Sequence, residues 1–426
     1  MSCNEWKEYA LKDLIDIKHG YAFKGKFFSE EETNLILLTP GNFKIGGGFQ
    51  AKKLKYYSKD GEVPEQYILR EDDILVTMTD LSKSGDTLGY PIKVPALENK
   101  ILLHNQRLGK VEIKSDKIDK DFLYYLMCSN KYRNEVLASA TGTTVKHSAP
   151  DRILKFEFGL PSIEEQQKIA NILFCLDEKI ELNNEMNKTL EDMAQSIFKR
   201  WFVDFEFPNE DGEPYKSSGG EMVDSELGMI PKGWEVQCIG DIGNVITGKT
   251  PSAKVEGSYG DECNFITPRD ITDSPIILNT ERKLSSIGIN NLKKNLVCKN
   301  SIGVSCIGSN LGEVYITGEN SITNQQINTV VLDESHIYPY IYIYLKNMKN
   351  EFLNMAGGSA VPIINKTSFS GINILMPDMY ILNKFVQSTT CYFERIEENL
   401  KENESLIALR DNLLPKLMSG EIDLSK

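Results

Sequence analysis

Two long stretches of this chain repeat their apolar residues at helical spacing, and the text before each of them repeats at strand spacing. From Ser162 to about Trp201, Ile169, Ile172, Leu176, Ile180, Leu190, Met193, Ile197 and Trp201 recur every three or four positions around Asn183 and Asn187. This predicts a long helix. Ser162 followed by Glu165 supplies a capping box at its start. A second such stretch runs from about Asp378 to Leu414, where Ile396, Leu406 and Leu413 match Ile180, Leu190 and Ile197. The asparagines recur too, as Asn399 and Asn403. They either sit inside the apolar seam, where polar residues fix register and partner choice, or lie at its edge. Helices of this length span on the order of 55–60 Å at 1.5 Å per residue. Each follows a globular half, so an antiparallel pair is the simplest packing.

The remaining text consists of short runs rich in Val, Ile, Thr and Tyr, broken by Gly, Asn and Pro turns. One or two short helices are expected in "KDFLYYLMCSNKYRNEVLA", 120–138. The segment Phe205 to Gly233, rich in Gly, Ser, Pro and acid, reads as a loop or linker.

The layout occurs twice, with an offset that falls from 228 to 216 residues along the copy. Trp6 aligns with Trp234, Gly20 with Gly248, and "LLTPGN" with "FITPRD". Further on, Asn105-Gln106 aligns with Asn324-Gln325 and Pro161 with Pro377. A repeat of this length means two like domains, and the shrinking offset means shorter loops in the second.

Only one stretch suggests nucleotide chemistry. "GNVITGKT", Gly243 to Thr250, fits the phosphate-loop pattern, and "TVVLDE" further on ends an apolar strand in acids. In the first copy the equivalent is "IDIKHGYA", where only Gly20 survives. Pro251 follows at once, and a phosphate loop must open a helix. A P-loop nucleotide-binding protein using Gly243 to Thr250 is therefore the alternative reading, not the leading one. Motifs for base methylation, Ser hydrolysis and zinc proteolysis are missing, and paired acids such as Asp72-Asp73 sit in loops. These features indicate a chain without catalysis of its own.

Charge is uneven. The chain carries −13 overall, yet residues 1–160 hold 24 basic and 23 acidic side chains, while 161–233 hold 7 and 16. Most of the deficit lies in one middle segment, so each large half is free to present a basic face. Eight cysteines without a C-x-x-C pair suit a reducing cytoplasm and no metal site. No apolar run reaches the ~20 residues of a membrane span, and the N-terminus lacks the pattern of a signal peptide.

Three segments carry a resemblance. "FKRWFVDFEF" (198–207), "ELGMIPKGWEV" (226–236) and "LRDNLLPKLMSGEIDL" (409–424), set in the duplicated layout, resemble the DNA-specificity (S) subunits of type I restriction-modification systems. The resemblance covers the whole chain. It implies a mixed α/β fold of two similar target recognition domains joined by two long helices, packed as an antiparallel coiled coil with a pseudo-twofold internal repeat. The expected division is 1–161 for the first recognition domain, 162–204 for the first spacer helix and 205–233 for the linker. The second recognition domain then takes 234–377, and the second helix and tail 378–426. Each recognition domain would read half of an asymmetric split site on double-stranded DNA. The helices would set the gap and dock two methyltransferase (M) subunits, with restriction/translocase (R) subunits joining through the complex. No cofactor is expected on this chain: S-adenosylmethionine belongs to M, and ATP and magnesium to R.

Base edges are read by polar and basic side chains on loops. In the first copy the candidates are Tyr21, Lys24, Asn42, Lys44, Thr77, Thr79, Lys83, Arg107, Thr143, Thr144 and Lys146. In the second they are Lys249, Thr250, Arg269, Ser305, Ser309, Asn310, Gln326 and Ser359. Asn105-Gln106 and Asn324-Gln325, present in both copies, are expected to cap a strand or turn.

Overall fold

The protein is described by a computed structural model covering residues 6–52, 54–143, 145–356 and 363–424. It falls into two compact units. The first comprises 1–179 with 406–426, and the second 180–405. The division lies inside both long helices, further along the chain than the expected boundaries at 161 and 377.

In the first unit, strands Ile15–His19, Leu108–Ile113, Ile74–Thr77 and Pro91–Lys93 form one antiparallel sheet in that order. The sequence Ile15-Asp16-Ile17 alternates buried, exposed, buried, as a strand with one face on a core requires. A second sheet orders Phe28–Ser29, Lys55–Tyr57, Leu35–Leu38 and Ile101–His104, the last two being parallel. Leu35–Leu38 is buried on both faces, which explains its unbroken apolar text. Lys7–Ala10 pairs with Glu157–Leu160 and closes the unit. The expected helical stretch forms two helices, Lys120–Cys128 and Asn130–Ser139. Asp119 caps the first of these, accepting from Asp121 and Phe122 amides at 2.9 Å.

The second unit repeats this plan. Gly243–Thr247, Ile327–Leu332, Ile302–Ser305 and Val314–Thr317 form the first sheet in the same order, with Ile276–Ile277 added at the edge. Tyr259–Gly260, Lys283–Leu284, Cys263–Ile266 and Ser321–Thr323 form the second, with Leu296–Val297 added. Glu235–Cys238 pairs with Asn373–Met376 as the closing pair.

The long helices run Ile163–Phe198 and Met379–Met418. Ser162 Oγ accepts the Glu165 amide at 3.3 Å, one of the two bonds of the expected capping box. The first helix stops three residues short of Trp201 and passes into a π-turn, Lys199–Val203. The second continues beyond Leu414 through Pro415, which costs one backbone hydrogen bond near its end. Within the second unit the asparagines are buried in the seam. Asn183 donates to Asn403 at 2.9 Å, and Asn399 donates to Asn187 at 2.8 Å. Rising numbers on one helix meet falling numbers on the other, so the pairing there is antiparallel. Within the first unit Arg410 pairs with Asp177 at 2.8 Å, and Leu417 shares a core with Ile169 and Leu173. The sense is again antiparallel.

The helix ends explain the opening tryptophans. The end of the first long helix brings Phe198, Phe202 and Phe207 onto Trp234 in the second unit. The end of the second brings Leu413, Leu417 and Ile422 into the core that Trp6 borders in the first unit. The expected linker, 205–233, is largely built into this packing. Met222–Ser225 and Gly228–Pro231 form a hairpin, Phe207 stacks on Tyr215 at 4.5 Å, and Ile230 is buried.

Candidate nucleic-acid interface

One end of each unit is built from equivalent loops. In the first unit the Tyr21 amide donates to His104 O at 2.9 Å, the Met78 amide to Arg107 O at 3.0 Å, and the Ser148 amide to Met78 O at 2.9 Å. In the second, the Lys249 amide donates to Thr323 O at 2.8 Å, the Cys306 amide to Gln326 O at 2.8 Å, and the Ile364 amide to Cys306 O at 2.9 Å. Four segments are therefore stitched into one edge in each unit, and it carries most of the candidates.

This frame accounts for the phosphate-loop match. Gly243 lies inside a strand, and residues after Thr247 form no helix before Ser286. A Cβ on Gly248 would sit 2.1 Å from Asn324 O, and one on Gly20 would sit 2.2 Å from Asn105 O. The shared glycine is required by close backbone approach, and the nucleotide reading is set aside. Asn105 and Asn324 hold the partner turn, each accepting from the amide two residues on, at 2.9 and 3.0 Å.

Several candidates leave the surface. Asn42 is fully buried: its Oδ1 accepts from the Thr39 amide at 2.9 Å, and its Nδ2 donates to Gln50 O and Lys52 O. Asp270 does the same for Thr267 in the second copy, at 2.8 Å. Thr77 is buried and donates to Thr87 O, and Ser305 is buried within its sheet. Thr79 is nearly buried and bonds the exposed His147 ring at 3.1 Å. These four are corrections: their side chains are buried and do not face solvent. Thr144 and Ser359 lie outside the described residues.

The others remain at the edge. Lys44, Lys83, Arg107, Thr143, Lys249, Thr250, Arg269 and Ser309 are exposed, and Tyr21, Lys146, Asn310 and Gln326 are half-buried. Among the described residues, Lys44, Lys83, Arg107, Lys146, Lys249 and Arg269 have no acidic side chain within ion-pair distance. Lys24 has only a 3.9 Å contact with Glu62. The lysines on the body of the first unit differ. Lys93, Lys110 and Lys120 are paired with Asp121, Asp73 and Asp72 at 2.5–2.6 Å. Cations left without protein partners at one end are available for phosphate.

The loops between these cations are held from below. Asp80 accepts the Ser82 amide at 2.7 Å and the Thr87 hydroxyl at 2.6 Å. Burial would raise its carboxyl, but these donors outweigh burial and hold it below the usual range. Asn310 donates to Pro268 O at 2.9 Å, tying its loop to the one that carries Arg269.

The residue order missed Lys293 and Lys294. They are exposed on a short 3-10 turn, and the next residue, Asn295, donates to Thr247 O at 2.9 Å. That bond brings the turn beside Lys249. In the first unit the corresponding residue is Tyr67, which stacks on Tyr21 at 5.2 Å. The signal was available only through strand pairing, since nothing in the local text marks the turn as part of the edge.

Among the described residues no helix is long and apolar enough to cross a membrane, and no group of three or more His, Cys, Asp or Glu could hold a metal ion.

The family model of the type I restriction modification DNA specificity domain matches residues 4–192 and again 231–404. The type I restriction enzyme HindI specificity subunit of Haemophilus influenzae is 31% identical, over 98% of this chain and all of that protein. The MjaIX specificity subunit of Methanocaldococcus jannaschii is 28% identical over 78% of this chain and 76% of its own. Among solved structures, the S subunit of a type I restriction-modification system from M. genitalium shares the fold. Its TM-score is 0.53 at 16% identity, covering 97% of this chain and 96% of that one. The doubled architecture, the doubled family match and the near-full-length relative agree: this chain belongs to the type I restriction-modification DNA specificity family.

Proposed function

We propose that each unit of this non-catalytic specificity subunit reads one half of a split, asymmetric DNA site through its loop-bearing edge. The observation that carries this reading is the pair of equivalent edges, framed alike but carrying different side chains and unpaired cations. Like frames with unlike loops suit two different words in one target. The readers in the first unit are Tyr21, Lys24, Lys44, Lys83, Arg107, Thr143 and Lys146. In the second they are Lys249, Thr250, Arg269, Ser309, Asn310 and Gln326, with Lys293 and Lys294 on phosphate.

The two long helices set the gap between the half-words, which must match the helical repeat of DNA, about 34–36 Å per turn. Their exposed apolar residues, including Phe174, Leu182 and Leu409, dock two methyltransferase subunits. The restriction/translocase subunits join through that complex. S-adenosylmethionine, ATP and magnesium serve those partners, and the assembly works on DNA in the cytoplasm.

The test is co-expression with a methyltransferase subunit of a type I system, followed by mapping of methylated adenines by single-molecule sequencing. A two-part word with a constant gap, present only when this chain is present, is the expected result. Methylation that is absent, or unchanged when the chain is omitted, overturns the reading.

A further inference from the structure

The two most exposed large apolar side chains among the described residues are Ile45, 72% exposed, and Leu81, 64% exposed. Both line one open groove of about 560 Å³ at the loop end of the first unit, together with Pro40, Lys44, Asp86 and Thr87. Single exposed apolar residues are ordinary on a protein surface, but two converging on one groove mark a contact.

Both are held out by stiff supports. Ile45 sits at the tip of a tight hairpin in which the Lys44 amide donates to Gly48 O at 2.8 Å. Gly46, Gly47 and Gly48 all take φ between 91° and 100° there, a conformation that only glycine adopts without strain. Leu81 lies on the loop gathered by Asp80. The same loop is anchored by Arg133, a buried guanidinium that donates to Gly85 O and Asp86 O and lies 4.7 Å over the Tyr90 ring.

The charges around the groove decide what it meets. Lys44 adjoins Ile45 and lines the groove, and Lys83 lies two residues beyond Leu81 on the same loop; both are exposed cations. Asp86 lines the groove itself, and its carboxylate repels phosphate. The two lysines therefore suit the DNA backbone while the groove suits base edges. The apolar feature of a base edge in the major groove is the thymine 5-methyl group. We propose that Ile45 and Leu81 are specificity-determining residues that select thymine over cytosine in the first half-word by packing against its methyl group. The inference rests on the half-site reading above. In the second unit the aligned positions are Asp273 and Ser309, so the methyl contact belongs to one half-word alone.

The experiment uses the complex with its methyltransferase subunits and a duplex carrying the mapped word. Each thymine is replaced in turn by deoxyuridine, which lacks only the methyl group, and binding is measured by competition. One or more replacements in the first half should weaken binding about 4-fold, the scale of unburying one methyl group. That effect should vanish in Leu81→Ser or Ile45→Ser, while other positions keep theirs. Both side chains are exposed, so the variants should keep the parental melting temperature. A first half-word without an A·T pair, deoxyuridine indifference throughout that half, or variants with unchanged word and deoxyuridine response would each overturn the proposal. Variants that fold but lose methyltransferase assembly would show that the groove meets protein, which also overturns it. Absence of any two-part word would instead sink the specificity reading itself and take this proposal with it.

Discussion

The two units share a frame and differ at the positions the frame leaves open. Gly20 and Gly248 sit against the same carbonyl, Asn105 and Asn324 hold the same turn, and Asn42 and Asp270 brace the same Thr-Pro corner. Between these fixed points the residues diverge. Tyr21 stacked on Tyr67 in the first unit becomes Lys249 beside Asn295, Lys293 and Lys294 in the second. The 80–87 loop rests on Asp80 and the buried Arg133, whereas the second unit ties its counterpart through Asn310 to Pro268 O. The lesson is that what the copies keep serves backbone geometry, and what they change is free to carry a DNA word.

That comparison breaks most visibly at the glycines. Gly20→Val and Gly248→Val each drive a Cβ into backbone that cannot retreat. Each should destabilise its own unit by about 1–3 kcal/mol or more, read by denaturant melts and hydrogen exchange. Loss confined to one of the two variants would mean the frames are not equivalent.

A subtler difference is acid sensitivity. His104 is buried with its Nε2 at 2.9 Å from Leu108 O, and burial pushes its pKa from the ordinary 6.5 down to about 4, against the pull of that carbonyl. The unfolded chain takes up the proton first as pH falls. Stability is therefore complete above pH 6.5 and declines toward pH 4, by about 2 kcal/mol at pH 5. Thr323 occupies the aligned position in the second unit and cannot titrate. Hydrogen exchange at pH 7 and pH 5 should show the first unit loosening through this group, and His104→Gln should remove that part of the change. Equal loosening in both units, unaffected by this variant, would contradict the assignment.

The smallest expected effect concerns salt. Lys249→Ala should reduce the slope of log K against log salt by about 0.9 if Lys249 meets one phosphate. Tyr21→Ala should weaken binding with the slope unchanged. Identical salt behaviour of the two variants would erase the distinction between a cationic and an aromatic edge.

Much of this architecture was legible because periodicity records burial. The helix seams and the duplicated layout follow from spacing, whereas spacing left open whether Asn183, Asn187, Asn399 and Asn403 sit in the seam or at its edge, and burial places them in it. The site was less legible because a loop sequence names residue types without saying which way they face. Asn42, Thr77 and Ser305 are polar and loop-adjacent, yet they point inward. For Asn42, its alignment with Asp270 three residues after a threonine was the available sign of a bracing role. The 205–233 segment misled for a related reason. Its Gly, Ser and acid content outweighed Phe207, Tyr215 and Ile230, which are the residues that cover Trp234 or pack beside it. Nothing in the loop text marks Ile45 and Leu81 as exposed, because an apolar residue in a loop reads as core.

The most direct test of the account is the methylation map of cells carrying this chain with residues 1–161 exchanged for the corresponding domain of another family member. The expected word has one new half, while the other half and the gap length are retained. A word changed in both halves, or in neither, would contradict the claim that each unit reads its own half.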